Sequence, residues 1–157
     1  MGRLFGTDGI RGLANEYPLT VDGSFRIGRA VASYFSTGDR RTGIIIGKDT
    51  RQSGPMIEKS LADGIRSVDA DAHLAGILPT PGIAFLVSAG EAAAGIVISA
   101  SHNPYTDNGI KLFDTEGYKL TDDKEDEIER LVSAESKPNV SPKSPNVSGR
   151  VKPIPDA

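Results

Sequence analysis

Gly95-Ile96-Val97-Ile98-Ser99-Ala100-Ser101-His102-Asn103-Pro104 decides how this chain is read. A β-branched apolar run stops abruptly in small and polar residues, and Pro104 prevents the strand from continuing. Tyr105-Thr106-Asp107-Asn108-Gly109 follows as turn-forming sequence, then Ile110-Lys111-Leu112-Phe113 returns as a hairpin partner. Open α/β sheets place their chemistry just beyond such strand ends. Hydroxyl, imidazole, amide and ammonium groups therefore flank one loop, an arrangement suited to a serine that accepts and donates a phosphoryl group. A turn whose side chains bond only its own backbone is the simpler alternative.

Other strand and helix signals surround this stretch. Val21 to Phe35 reads as a helix, with Phe25, Ile27, Gly28, Val31, Ala32 and Phe35 on one face. Gly43-Ile44-Ile45-Ile46-Gly47 is a short apolar strand of the buried parallel type. Met56 to Val68 reads as a second helix and Ala72 to Leu78 as the next strand. Thr80 is expected to cap a third helix running through Val87, with Pro81 at its first position. A strand from Ala93 to Ser99 and its partner Ile110–Phe113 come next. A charged helix capped by Thr121 then runs from Asp122 to about Val132. The residues before Asn15 read as a glycine-rich lead-in. Gly117-Tyr118-Lys119-Leu120 reads as a turn into a short strand or the last helix. This alternation predicts a three-layer α/β/α domain with a mixed, mainly parallel sheet over residues 1–135. Residues 136–157 begin with a proline- and serine-rich stretch of linker composition and turn extended near the end.

Composition removes several function classes. The chain has 157 residues, 38% apolar and 25% charged, with a net charge of -3. That length suits one domain with a real core. The charge leaves no electrostatic footprint for nucleic acid, and no apolar run reaches membrane-spanning length. Met1-Gly2-Arg3-Leu4-Phe5-Gly6 lacks a signal-peptide core and fits the myristoylation pattern poorly. With no cysteine, thiolate chemistry and cysteine metal sites are excluded. A cytoplasmic setting is expected, which makes the glycosylation sequon Asn146-Val147-Ser148 irrelevant.

Two familiar constellations do not fit. Ser101 and His102 are sequence neighbours, whereas members of a hydrolase triad meet across the fold, and Ser101 lies outside a Gly-x-Ser-x-Gly elbow. Gly43 to Lys48 has three residues between its glycines and Asp49 after the lysine, so it is not a nucleotide-binding P-loop.

Four stretches in order carry a resemblance. Phe5-Gly6-Thr7-Asp8-Gly9-Ile10-Arg11-Gly12, Gly47-Lys48-Asp49-Thr50-Arg51-Gln52-Ser53-Gly54, Leu78-Pro79-Thr80-Pro81-Gly82 and Ser99 to Phe113 resemble the signatures of the α-D-phosphohexomutases. The resemblance implies that Ser101 is the phosphorylated serine, passing its phosphoryl group to a hexose or hexosamine phosphate. It implies that Lys111 is the base for the sugar hydroxyl and a clamp on the phosphate. His102 would hydrogen-bond phosphate or sugar oxygens, and Arg11 would present its fork to a phosphate. Asn103 would order the loop, with Asp49 and Arg51 as supporting positions that a plain structural ion pair explains equally well. It further implies Mg2+ bound through the Ser101 phosphate, with the other ligands on an Asp-rich loop of a second domain. Asp122, Asp123 and Asp126 have helical spacing and do not supply that loop. The remaining domains of the same enzyme are the implied partners, and the isolated chain is expected to be inactive. A non-catalytic phosphate-binding module remains the alternative of another class.

Overall fold

The computed structural model describes residues 3–90, 92–134 and 148–155. Chain order is β1 (Ile10–Leu13), α1 (Val21–Phe35), β2 (Gly43–Lys48), α2 (Gly54–Arg66), β3 (Asp71–Ile77), α3 (Thr80–Ala89), β4 (Ala94–Ile98), β5 (Asp107–Phe113), α4 (Asp122–Ala134) and β6 (Val151–Pro153). One six-stranded sheet has the order β1-β5-β4-β2-β3-β6. β2 is parallel to β3 and β4, and β6 is parallel to β3, whereas β5 is antiparallel to both β4 and β1. The three-layer α/β/α architecture read from the sequence is the one observed.

Alternation along the strands sorts the core into two unequal faces. Ile44, Ile46, Ile96, Ile98, Ile110 and Leu112 face the side covered by α1, α2 and α4 through Ile27, Leu61, Ile65 and Ile128. Ile45, Ala75, Val97 and Phe113 face the other side, where Ile83 and Val87 of α3 cover them. Handedness explains this division. The connection β2-α2-β3 runs one way along the sheet, while β3-α3-β4 runs back past β2. Crossovers of one hand then require their helices on opposite faces. Adjacent strands β2 and β4 thereby become the point at which the direction of winding reverses. Their carboxyl ends open where such sheets place ligands.

Three expectations need correction. The lead-in before Asn15 contains the edge strand β1, with Ile10 opposite Ile110 and Arg11 opposite Gly109. Its four residues include Gly12 and have too short an alternation to signal a strand, so pairing with β5 creates it. Thr80 does not cap α3. It is the first helical residue, and extended Pro79 (φ -66°, ψ 154°) takes the cap position. The Pro79 carbonyl accepts from Gly82 N–H at 2.8 Å. Finally, α2 starts at Gly54, two residues before the expected Met56. Ser53 precedes it without capping it, because its Oγ accepts a 2.7 Å hydrogen bond from Asn108 Nδ2 instead.

α1 and α2 meet backbone to backbone. A Cβ added at Gly64 would overlap the Phe25 carbonyl oxygen, and one at Gly28 would overlap that of Leu61. Neither contact can yield by a side-chain rotation. Gly64→Ala should therefore separate the helices and lower stability by about 1–3 kcal/mol despite alanine's better helix propensity. Thermal unfolding checks this, and an unchanged or raised Tm would contradict it.

Beyond residues 136–147, which lie outside the described residues, Val151–Pro153 adds β6 to the sheet. Asp71 anchors it: one carboxylate oxygen accepts from Arg150 N–H at 2.8 Å and the other from Lys152 Nζ at 2.9 Å. Burial pushes the Asp71 carboxyl up, but Lys152, the Arg150 amide and Arg41 outweigh it and hold the group below its usual range. A lowered folded-state value stabilises above the unfolded value and is lost as pH falls through the folded one. The hydrogen bond from Ala72 N–H to Arg150 O should accordingly open first on acidification. Native-state hydrogen exchange reads this directly. Protection of Ala72 N–H that persists on acidification until global unfolding would contradict it.

Candidate active site

The loop after β4 is built around its carbonyl groups. It leaves the sheet at Ala100, turns, and re-enters at Asp107, so several carbonyl oxygens point inward without ladder partners. Arg51, from the loop after β2, supplies the donors. Its Nη2 donates to Ser101 O and Asn103 O, both at 3.0 Å. Its Nη1 donates to Pro104 O at 2.6 Å and Asp107 O at 3.1 Å. Its Nε is fixed on Asp49 Oδ2 at 3.0 Å, and the side chain is only 10% exposed. A planar fork with five donors is the side chain that can do this.

From the other side Arg11, on β1, reaches Asn103 Oδ1 at 2.8 Å and Ala100 O at 3.3 Å through Nη1. Its Nη2 lies 3.6 Å from Asp8 Oδ2, and its buried Nε has no hydrogen-bond partner. Arg11 sits opposite Gly109, where a side chain would have no room. A Cβ there would lie 2.7 Å from both the Ile10 and Ser99 carbonyl oxygens and 3.3 Å from Arg11 Cγ. Asn103 completes the frame by donating from Nδ2 to Asp107 Oδ2 at 3.0 Å. Below it, buried Asn108 bonds Ser53 and the Gly109 amide, tying the loop to the start of α2.

Ser101 occupies the exposed apex with φ +56°, in the left-handed region that a residue with a Cβ enters at a cost. Two hydrogen bonds hold it there: Arg51 on its carbonyl, and Ser99 Oγ accepting from its N–H at 3.0 Å. Ser99 is thus spent inside the loop, while the Ser101 hydroxyl projects to solvent. His102 is also exposed, with Nδ1 3.5 Å from Ser101 Oγ.

Of the residues singled out in the sequence, the structure places Ser101, His102 and Asn103 on one loop and brings Arg11 to it from β1. Lys111 stands apart from that network. It lies on β5 opposite Val97, two residues beyond Gly109 and on the same sheet face. The partly exposed amine makes no hydrogen bond or ion pair among the described residues. Sequence reasoning underrated Arg51 and missed Asn108 and Ser53. The Asp49-Thr50-Arg51 spacing signalled an ion pair, but nothing in it tells that the guanidinium reaches four carbonyls 50 to 56 residues away.

The residue 2–139 segment matches the sequence profile of the phosphoglucomutase/phosphomannomutase α/β/α domain I. The chain belongs to that family. The phosphoglucosamine mutase of Syntrophobacter fumaroxidans is 57% identical over 132 residues, covering 84% of this chain and 29% of that protein. That of Geobacter metallireducens is 50% identical over 157 residues, covering 100% of this chain and 35% of its own length. Among solved structures, a phosphoglucomutase/phosphomannomutase family protein from Burkholderia thailandensis superposes with a TM-score of 0.76 at 28% identity. It covers 96% of this chain and 32% of its own. The chain therefore spans about a third of these relatives and corresponds to domain I of a phosphohexomutase.

Magnesium, which the family resemblance implies, needs a cluster of oxygen donors. No group of three or more His, Asp or Glu side chains among the described residues could hold a metal ion. Asp107 is committed to Asn103, and Asp49 to Arg51. The described residues do not by themselves fit a magnesium site. Likewise, no described helix is long and apolar enough to cross a membrane.

Arg51→Lys tests the frame. Lysine keeps the charge beside Asp49 but cannot address four carbonyls at once. Stability should fall by about 1–3 kcal/mol, and turnover of an enzyme carrying the change by roughly 10²-fold through misplacement of Ser101. Hydrogen exchange of the loop amides together with an activity assay measures both. Unchanged loop protection would remove Arg51 from this role.

Proposed function

We propose that this domain carries the phosphoserine of a phosphoglucosamine mutase, which interconverts glucosamine 6-phosphate and glucosamine 1-phosphate through a sugar bisphosphate. The observation that carries this reading is Ser101. It is exposed and held at φ +56° by Arg51 at the open end of β2 and β4. The names of the relatives at 50–57% identity favour the amino sugar over the phosphomannomutase and phosphoglucomutase alternatives.

In the proposed reaction phosphoserine 101 faces a sugar monophosphate. The free sugar hydroxyl gives its proton to Lys111 as its oxygen bonds phosphorus. The bond from phosphorus to Ser101 Oγ breaks, and the departing Oγ is protonated by His102. The bisphosphate turns over. Ser101 Oγ then takes the other phosphoryl group, its proton returns to His102, and Lys111 protonates the sugar oxygen released. Serine phosphate is kinetically stable in water, so rate comes from placed positive charge and alignment. Arg11 contributes charge from the loop side. Magnesium, when bound, would neutralise phosphate charge; the Ser101 phosphate would be this domain's one contribution to its coordination. The other ligands and the sugar-recognition groups would come from the remaining domains, in a cytoplasmic enzyme.

Intact-mass analysis and phosphopeptide mapping of the expressed protein test the carrier. One phosphoryl group on Ser101 is expected. Assays of the whole enzyme with glucosamine 6-phosphate, glucose 1-phosphate and mannose 1-phosphate test the substrate. Faster turnover of either neutral sugar would reassign it. Full turnover by an enzyme lacking phosphate at Ser101 would reduce the domain to a non-catalytic phosphate-binding module.

A further inference from the structure

At the other end of the sheet the chain builds a second basic cleft. Its volume is about 290 Å³, and Arg40, Arg41, Asp71, His73 and Lys152 supply its polar lining, with Ile45 and Ile154 among its walls. Gly43 and Ile45 lie in the first half of β2, and Asp71 and His73 begin β3. Ser101, by contrast, follows the last residues of β4, which runs parallel to β2. The cleft is assembled only when β6 returns, because Lys152 and Ile154 come from that segment.

Among the described side chains, positive charge exceeds negative charge in the cleft lining. Arg41 lies 3.5 Å and Lys152 2.9 Å from the same Asp71 carboxylate, and Arg40 adds a further cation to the lining. One carboxylate thus holds two permanent cations, Arg41 and Lys152. His73 lies among them, half-buried, and its ring makes no hydrogen bond among the described residues. The lack of a side chain at Gly43 keeps the imidazole edge open, since a Cβ there would sit 2.9 Å from His73 Nε2. A concave lining with surplus positive charge and an uncommitted imidazole matches a multiply charged oxyanion.

We propose that this cleft is a second anion site, taking a phosphate monoester or similar doubly charged oxyanion at the end of the sheet opposite Ser101. Arg41 and Lys152, held in place by Asp71, present the charge, and His73 contributes a ring nitrogen. Burial first, and then Lys152, hold His73 below its ordinary value, with Asp71 opposing them. An anion close to the ring would favour the imidazolium and raise that value. By reciprocity, affinity would rise as pH falls through the His73 titration. Among the described residues, Asp71 from β3, Lys152 from β6 and Arg40 and Arg41 from the segment before β2 are the charged groups lining the cleft with His73. The α3 residues of this face, Ile83 and Val87, are apolar.

The chain has two histidines, and each reports one end of the sheet. Imidazole NMR titration with sulfate, which keeps its charge across the histidine range, reads the two sites separately. The expected result is a saturable upward shift of His73 by about one pH unit, or tenfold tighter proton binding, with His102 unmoved. Inorganic phosphate at fixed pH should compete. Arg41→Gln should weaken saturation at least tenfold, and Arg40→Gln, at an exposed position, provides a second variant should the first disturb β6. A linear shift shared by both histidines would mean an ion atmosphere only and overturn the site. So would folded variants that titrate like the parent. Neither result bears on phosphate at Ser101, so this test fails or succeeds apart from the proposed mutase.

Discussion

Ser101→Ala in the whole enzyme should lose at least about 10⁴-fold in turnover, the scale seen when a covalent nucleophile is removed, while the domain stays folded. The hydroxyl reaches only the exposed His102 ring, at 3.5 Å, and the hydrogen bonds that hold Ser101 in place run through its backbone. Alanine accepts the same backbone bonds at the same φ of +56°, so thermal stability should barely move. Ser101→Gly sharpens the test. Glycine enters the left-handed region without the Cβ penalty, so this variant should be as inactive as Ser101→Ala but more stable by about 1 kcal/mol. The nucleophile would then be seen to sit where the fold prefers glycine, a stability cost tolerated at a functional apex. Phosphopeptide mapping that placed the phosphoryl group on Ser99 would overturn the assignment. Ser99 Oγ is already the acceptor for Ser101 N–H and lies inside the loop.

Lys111→Ala is the second large effect. Loss of a proton-transferring or charge-stabilising group costs roughly 10²–10⁴-fold, and that range is expected for turnover of the whole enzyme. Nothing among the described residues commits the Lys111 amine, so its removal should leave stability nearly unchanged. This separates Lys111 from Arg51, whose loss should damage the loop as well. Lys111→Arg restores charge but not basicity, because a guanidinium holds its proton through the pH range of the reaction. It should recover only part of the rate. If Lys111→Arg matched the parent enzyme, Lys111 would be a clamp and not a base. If Lys111→Ala were near normal, it would be a surface lysine of β5.

How much could be read beforehand differs between elements for physical reasons. The span of α1 was legible to the residue because amphipathic periodicity is a property of the segment itself. β2 and β4 were legible within a residue because strands buried on both faces read as unbroken apolar runs. β1 was not, since four residues with a glycine become a strand only when β5 offers its edge. β6 owes its place to Asp71, nearly eighty residues earlier in the chain. Around the site, Ser101, His102, Asn103 and Pro104 are contiguous, and their strand-exit setting marked them in the sequence.

The sequence by itself determined the alternation of apolar segments, hence the layered architecture, and the motif that puts a serine at the end of β4. Tertiary structure decided which serine of Ser99-Ala100-Ser101 turns outward. It decided that Arg11 and Arg51 close on the loop from opposite sides, that Gly28 and Gly64 let two helices touch, and that Lys111 stands uncommitted among the described residues. Periodicity is local and survives in a string of letters. A guanidinium shared among four distant carbonyls is a fact about chain crossing, and it exists only once β2, β4 and β5 lie side by side.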